Sequence, residues 1–104
     1  MLDENITWHI PGEHVLSGAY NGHAEITAFF EQLGELSGGT FTIDVRDLLE
    51  SDSGTVAALT TISALRNGEN AGFDTVQVWR FSDGRASSFH EYHRRQADIN
   101  AFWS

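Results

Sequence analysis

Two dipeptides constrain this chain more than any other feature: Asn67-Gly68 and Asp83-Gly84. Both are residue pairs that two-residue hairpin turns demand, because the central positions of such turns need positive φ. β-branched and aromatic runs flank each one. TVAALTTISAL (55–65) precedes the first, FDTVQVWRF (73–81) lies between them, and RASSFHEYH (85–93) follows the second. Strands joined by turns this tight run antiparallel. A further run, TFTIDVRDLL (40–49), alternates Phe41, Ile43 and Val45 against Thr42, Asp44 and Arg46, and reads as the strand ahead of them. Upstream, ITWHI (6–10) reads as a short strand stopped by Pro11-Gly12, and a polar loop, EHVLSGAYNG (13–22), follows it.

One segment carries a helical period. Ile26, Phe29, Phe30, Leu33 and Leu36 recur at three- and four-residue steps and form one apolar stripe. Asn21 or Gly22 can cap its start, Glu25 favours its first turn, and Gly38-Gly39 ends it. The last residues, RQADINAFW (95–103), predict a short terminal helix. The pattern of one long helix, about five strands and a short C-terminal helix gives an α+β class: a curved antiparallel sheet folded over a helix. No repeat or linker interrupts residues 1–104, so the chain reads as a single domain.

Composition excludes several functions. The net charge is −9, from 15 acidic against 6 basic residues, and all six basic residues are arginine. Such a chain repels phosphate backbones and anionic lipid, so neither nucleic acid nor a membrane is an expected partner. Without cysteine there is no disulfide framework, thiolate nucleophile or cysteine metal site, and without lysine there is no Schiff-base chemistry. No apolar run is long enough to span a bilayer and no leader pattern opens the chain, which makes the cytoplasm the default compartment. Phosphate-cradling glycine loops and the Gly-x-Ser-x-Gly elbow are also missing.

The chemistry concentrates in SFHEYHRR (88–95). On a strand, successive side chains point to opposite faces. Phe89, Glu91 and His93 therefore share one face, and His90 and Tyr92 the other. The two histidines stand three apart and point in opposite directions, so they cannot form the paired ligands of a helical zinc motif, and no metal is expected. Glu91 and His93 side by side, with Phe89 beside them and Trp79 and Phe81 at matching spacing on the preceding strand, predict an acid and an imidazole against an aromatic wall. That arrangement suits proton transfer near neutral pH. The alternative is that this face meets water or a partner subunit and the two residues merely pair. Gln77, polar in an otherwise apolar strand, can donate to a ligand oxygen or serve as a satisfied buried amide. Trp8, Trp79 and Trp103 read mainly as core, with Trp79 the best ligand platform among them. Tyr20 and His23 serve the turn at the helix start, and His9 and His14 read as surface residues.

Taken in order, ITWHIPG, LSGAYNG leading into HAEITAFFEQLGELSGGTF, VQVWRFSDGRASSF and the closing ADINAFW resemble the SnoaL-like polyketide-cyclase branch of the nuclear transport factor 2-like superfamily. The resemblance covers nearly the whole chain. It implies a cone, an α+β barrel in which a strongly bent sheet wraps around helices and leaves a pocket between them. VQVWRFSDG resembles the ketosteroid isomerase strand that carries an oxyanion-binding acid where Gln77 stands here. By that match Gln77, Trp79 and Phe81 line the pocket, with Phe89, Glu91 and His93 from the next strand and Trp8 and Ile10 from the first; Phe29 of the helix and Ile62 complete the expected lining. The resemblance implies cofactor-free acid–base chemistry on a small apolar molecule, of cyclase, isomerase or epoxide-hydrolase type, with Glu91 and His93 moving protons. The alternative is a non-catalytic cone that holds a ligand or dimerises. Three departures stand out. Ile10 occupies the position of the isomerase base, Arg95 stands where an acid often caps the last helix, and the helical segment that precedes the Trp-x-x-Pro-Gly strand in the family has no counterpart before MLDENITWHIPG. The last of these predicts a more open pocket, a homodimer whose second copy covers the exposed apolar face, or a shortened relative of the family.

Overall fold

A computed structural model describes residues 2–104. Six strands and two helices follow in the order β1 (Leu2–Ile10), β2 (Gly18–Asn21), α1 (Gly22–Ser37), β3 (Thr42–Glu50), β4 (Thr55–Arg66), β5 (Glu69–Ser82), β6 (Arg85–His93) and α2 (Gln96–Phe102). They form one sheet in the order β2-β1-β6-β5-β4-β3. The class is α+β as expected, with the sheet curved over α1 and left unclosed, β2 and β3 being its edges.

The hairpin signals hold. Asn67 and Gly68 have φ of 51° and 80°, and Asp83 and Gly84 have 53° and 75°, the left-handed values this turn needs. β3 through β6 consequently form an antiparallel meander. Two features were not legible. GAYN, inside the expected polar loop, is the short strand β2 paired antiparallel to β1. β1 itself lies parallel to β6, so the sheet is mixed rather than wholly antiparallel. A parallel pair has no local turn to announce it; it forms because β1, once it has returned through β2 into α1, buries Ile6, Trp8 and Ile10 best beside β6.

α1 buries Ile26, Phe29 and Leu33 along its sheet-facing stripe, whereas Phe30 is 45% exposed at the margin. Its first turn is closed by the Glu25 carboxylate, which accepts from the Asn21 backbone N–H at 2.8 Å. Its last turn ends at Gly38 in the left-handed conformation, with the Gly39 N–H donating to the Gly34 carbonyl at 2.9 Å. α2 closes one end of the sheet through Ile99, Phe102 and Trp103, all buried. It also grips the loop between β1 and β2. The Gln96 amide donates to the Pro11 carbonyl at 3.4 Å, and the Asn100 side-chain oxygen accepts from the Glu13 N–H at 3.0 Å. Gly12, at φ +97°, fits under this contact because a Cβ there would overlap the Gln96 and Asn100 side chains.

Two substitutions test this packing. Ile6 is fully buried away from the cavity described below, and Ile6→Ala should cost about 2–5 kcal/mol in urea unfolding. Gly12→Ala combines strained backbone with overlap against α2 and should cost about 1–3 kcal/mol.

Candidate functional site

Cross-strand register turns the inner face of the sheet into rows. In the first row Trp8 of β1 opposes Phe89 of β6, and Phe89 opposes Trp79 of β5. Trp8 and Phe89 stack with ring centroids 3.9 Å apart, and Trp79 meets both edge-on at 5.3 Å and 4.7 Å. In the second row Glu91 opposes Gln77, and in the third His93 opposes Thr75, which opposes Thr60. The sheet face thus passes from aromatic to polar in two steps.

The polar rows are hydrogen-bonded within themselves. One Glu91 oxygen accepts from the Gln77 amide at 3.3 Å, and the other faces His93 Nε2 at 3.1 Å. The His93 side chain is 2% exposed and that of Glu91 is 11%. A carboxylate only accepts, so Nε2 of His93 carries the proton. His93 Nδ1 lies 2.9 Å from the Thr75 hydroxyl, which donates to it when the ring is neutral. The hydroxyl can also accept from a charged ring, turning its own hydrogen toward the Phe73 carbonyl at 3.5 Å. Thr60, buried behind, donates to the Thr75 backbone carbonyl at 3.2 Å.

These groups border a cavity of about 230 Å³ between sheet, α1 and α2, just below the roughly 300–1,000 Å³ of drug-sized ligand sites. Its walls include the expected Trp8, Ile10, Phe29, Ile62, Gln77, Trp79 and Phe89, together with Glu91 and His93. Leu16, Phe30, Leu33, Phe41, Ile43, Ile99 and Trp103 complete the apolar lining. Phe30 and Ile43 are each 45% exposed, which puts the mouth between α1 and β3. Among the described residues no three His, Asp or Glu side chains converge to hold a metal ion.

Two expectations need correction. Phe81 does not line the cavity and is 39% exposed. The pairing steps from Arg80–Ser88 to Phe81–Ala86, skipping Ser87, so Ala86 becomes the buried residue of β6 there, and Phe81 opposite it lies beyond the last lining pair, Trp79–Phe89, toward the turn. His14 is not a surface residue: it lines the cavity from the β1–β2 loop. The Leu16 N–H donates to His14 Nδ1 at 3.1 Å, and the His14 N–H donates to the Ser17 hydroxyl at 3.0 Å. His14 Nε2 is buried without a partner. Burial holds the His14 imidazole below its ordinary pKa, helped by the nearby His93 and opposed by Glu91 and by the Pro11 backbone carbonyl. No periodic signal could have found it, since its place depends on a loop that α2 pins. His9 does face outward, stacked on His90 at 4.2 Å.

Residues 1–89 match the SnoaL-like domain family. The chain belongs to that family. Among solved structures it is similar to Bal32a, from a soil-derived mobile gene cassette, at 31% identity and a TM-score of 0.95, over 99% of this chain and 79% of that one. A protein of unknown function with a cystatin-like fold from Xanthomonas campestris superposes with a TM-score of 0.90 at 29% identity, over 99% of this chain and 80% of the other. An uncharacterised protein of Mycobacterium tuberculosis is 25% identical over 95 residues, which are 91% of this chain and 72% of the relative. The expected superfamily and cone fold are therefore those of this SnoaL-like chain.

The histidines carry a pH dependence. His14 is lowered as described, and His90 is lowered by burial and by the neighbouring His9 and Arg80. Both take up their proton at lower pH in the fold than in the unfolded chain, which titrates near 6.5. Their neutral burial is therefore fully tolerated above that pH, and stability falls as pH drops below it, because the unfolded state takes up the protons. Urea midpoints measured from neutral to mildly acidic pH should decline, and His14→Gln should flatten part of the decline.

Proposed function

We propose that this SnoaL-like domain is a cofactor-free acid–base enzyme acting on a small, largely apolar molecule held in the cavity. The observation that carries the reading is the buried Glu91–His93 contact of 3.1 Å, set into a wall of aromatic side chains and braced on both sides by Gln77 and Thr75. A carboxylate with two fixed donors keeps lone pairs for a substrate proton. His93 stabilises the charged form, and Thr75 lets it hold one proton or two. Gln77 serves the carboxylate with one of its N–H groups, which gives it a bracing role in place of direct polarisation of a substrate oxygen. Cyclisation and isomerisation, two of the reaction types the family suggests, both begin by removing a proton beside a carbonyl, the step this pair is suited to. The size of the cavity favours a molecule of one or two fused rings.

The bicyclic ketone 2-tetralone provides a test. In D₂O its α-hydrogens exchange slowly, and the protein should accelerate that exchange as followed by NMR. Glu91→Gln should slow the catalysed exchange about 10²–10⁴-fold, the range for loss of a positioned base. Exchange no faster than in buffer with the wild-type chain would sink the reading.

A second reading, a cone that dimerises, is favoured by the edge strand β3. Its nine residues are all exposed, and Ile43, Val45, Leu48 and Leu49 are 45%, 52%, 63% and 54% accessible. An apolar strand edge with free backbone groups is a pairing surface. On this reading the wild-type chain sediments as a dimer at micromolar concentration, and Val45→Asp with Leu48→Asp sediments as a monomer. A wild-type monomer removes it.

A further inference from the structure

We infer that His14 is a second catalytic residue of the cavity: its Nε2–H is a fixed, neutral hydrogen-bond donor for an oxygen of the substrate, set against the Glu91 base. The inference rests on the acid–base reading above and narrows it to substrates with an acceptor oxygen on an otherwise apolar frame, such as a cyclic ketone.

Three observations carry it. The first is the tautomer. The Leu16 backbone N–H donates to Nδ1 at 3.1 Å. In the neutral ring that nitrogen is therefore the acceptor, and Nε2 bears the hydrogen. The second is that this hydrogen meets no acceptor in hydrogen-bonding geometry among the described residues. Three buried side-chain nitrogens or oxygens lack a partner among the described residues: His14 Nε2, Trp8 Nε1 and His90 Nδ1. The first two belong to residues that line the cavity, while His90 stands on the opposite face of β6. A buried donor without a partner is rare in a folded protein and calls for one, and here the cavity is where a partner can sit. The third is rigidity. His14 is held by Ser17 at its own backbone N–H, and the Ser17 hydroxyl donates to the Pro11 carbonyl at 3.1 Å. The flanking residues Glu13 and Val15 donate to Asn100 and to the Trp103 carbonyl. The donor is thus mounted on α2 and needs no reorganisation when charge develops on a substrate oxygen, which is the condition for electrostatic catalysis.

The step balances without a co-reactant. Glu91 takes the hydrogen from the carbon beside the carbonyl, the C–H electron pair becomes the new C=C bond, and the carbonyl π pair moves to oxygen. His14 Nε2–H hydrogen-bonds that oxygen and keeps its proton. Glu91 then returns a proton to carbon. The depressed basicity of His14, caused chiefly by burial, keeps it a neutral donor at neutral pH.

The test uses ¹³C-carbonyl-labelled 2-tetralone and three variants. Infrared spectra of the bound ketone should show a carbonyl band shifted to lower frequency in the wild-type chain and in Glu91→Gln, but not in His14→Phe. α-Exchange should fall about 100-fold in His14→Phe, the usual loss for one such donor, with partial recovery in His14→Gln, which restores an N–H. His14→Gln also covers the case in which the phenylalanine variant does not fold. ¹⁵N NMR of the free protein at neutral pH should show His14 as the Nε2–H tautomer. An Nδ1–H tautomer, a failure of the ketone to bind, or a carbonyl band that is the same in wild type and His14→Phe would each overturn the assignment. A shifted band without catalysed exchange would instead defeat the acid–base reading and leave the donor in place.

Discussion

The register between β5 and β6 is the constraint on which the site depends. A strand has only two faces, so a slip of one residue would carry Glu91 and His93 outward and bring His90 and Tyr92 in. The Asp83-Gly84 turn and the facing aromatic pair Trp79–Phe89 resist that slip from the hairpin side. On the other side of β6, the stack of Trp8 on Phe89 resists it from β1. Once Phe89 is committed to the interior, Glu91 and His93 follow at two-residue intervals. Gln77 and Thr75 then arrive opposite them as their hydrogen-bonding partners. Packing of large rings thus places small polar groups.

Burial of those polar groups is tolerable because each member of the row has a partner. Glu91 is held by an amide and an imidazole, His93 by a carboxylate and a hydroxyl, and Thr75 is backed by Thr60. A half-satisfied set would cost more than an apolar wall. Two of the three unpartnered buried atoms among the described residues, His14 Nε2 and Trp8 Nε1, belong to residues bordering the cavity. The same interior that stabilises the sheet therefore leaves hydrogen-bonding capacity at the cavity. The acidic surplus of the chain stays outside: Asp44, Asp74 and Glu50 are exposed, and the ion pairs of Arg46 with Asp44 and Arg94 with Asp74 sit in solvent.

Much of this was readable in the residues, because it depends on local period and turn chemistry. β4 and β6 begin and end where their alternation and flanking glycines say. That Phe89, Glu91 and His93 share one face, with Gln77 and Trp79 on the matching face of the next strand, follows from counting by twos, whereas the inward direction of that face came from the family resemblance. The counting fails on β6 at Ser87, where a bulge makes Ala86 the buried residue opposite Phe81. On β3 a second irregularity beside Arg46 leaves Val45 opposite the buried Thr60 but moves the next position on that face from Asp47 to Leu48, which pairs with the buried Ala58. Bulges leave no mark in composition. β2 was hidden for another reason, since four residues are too few to show a period.

What the chain determined alone was the meander, the helix with its capped ends and the parity of the acid–base strand, each set by interactions among residues close in sequence. What only the tertiary structure decided was the parallel docking of β1 on β6, the volume left beneath α1, and the place of His14. Those depend on residues far apart in the chain, such as Glu13 with Asn100, 87 positions apart, and Gln96 with Pro11, 85 apart. Contacts of that separation are chosen by how whole elements bury their apolar faces together, and no local pattern encodes them.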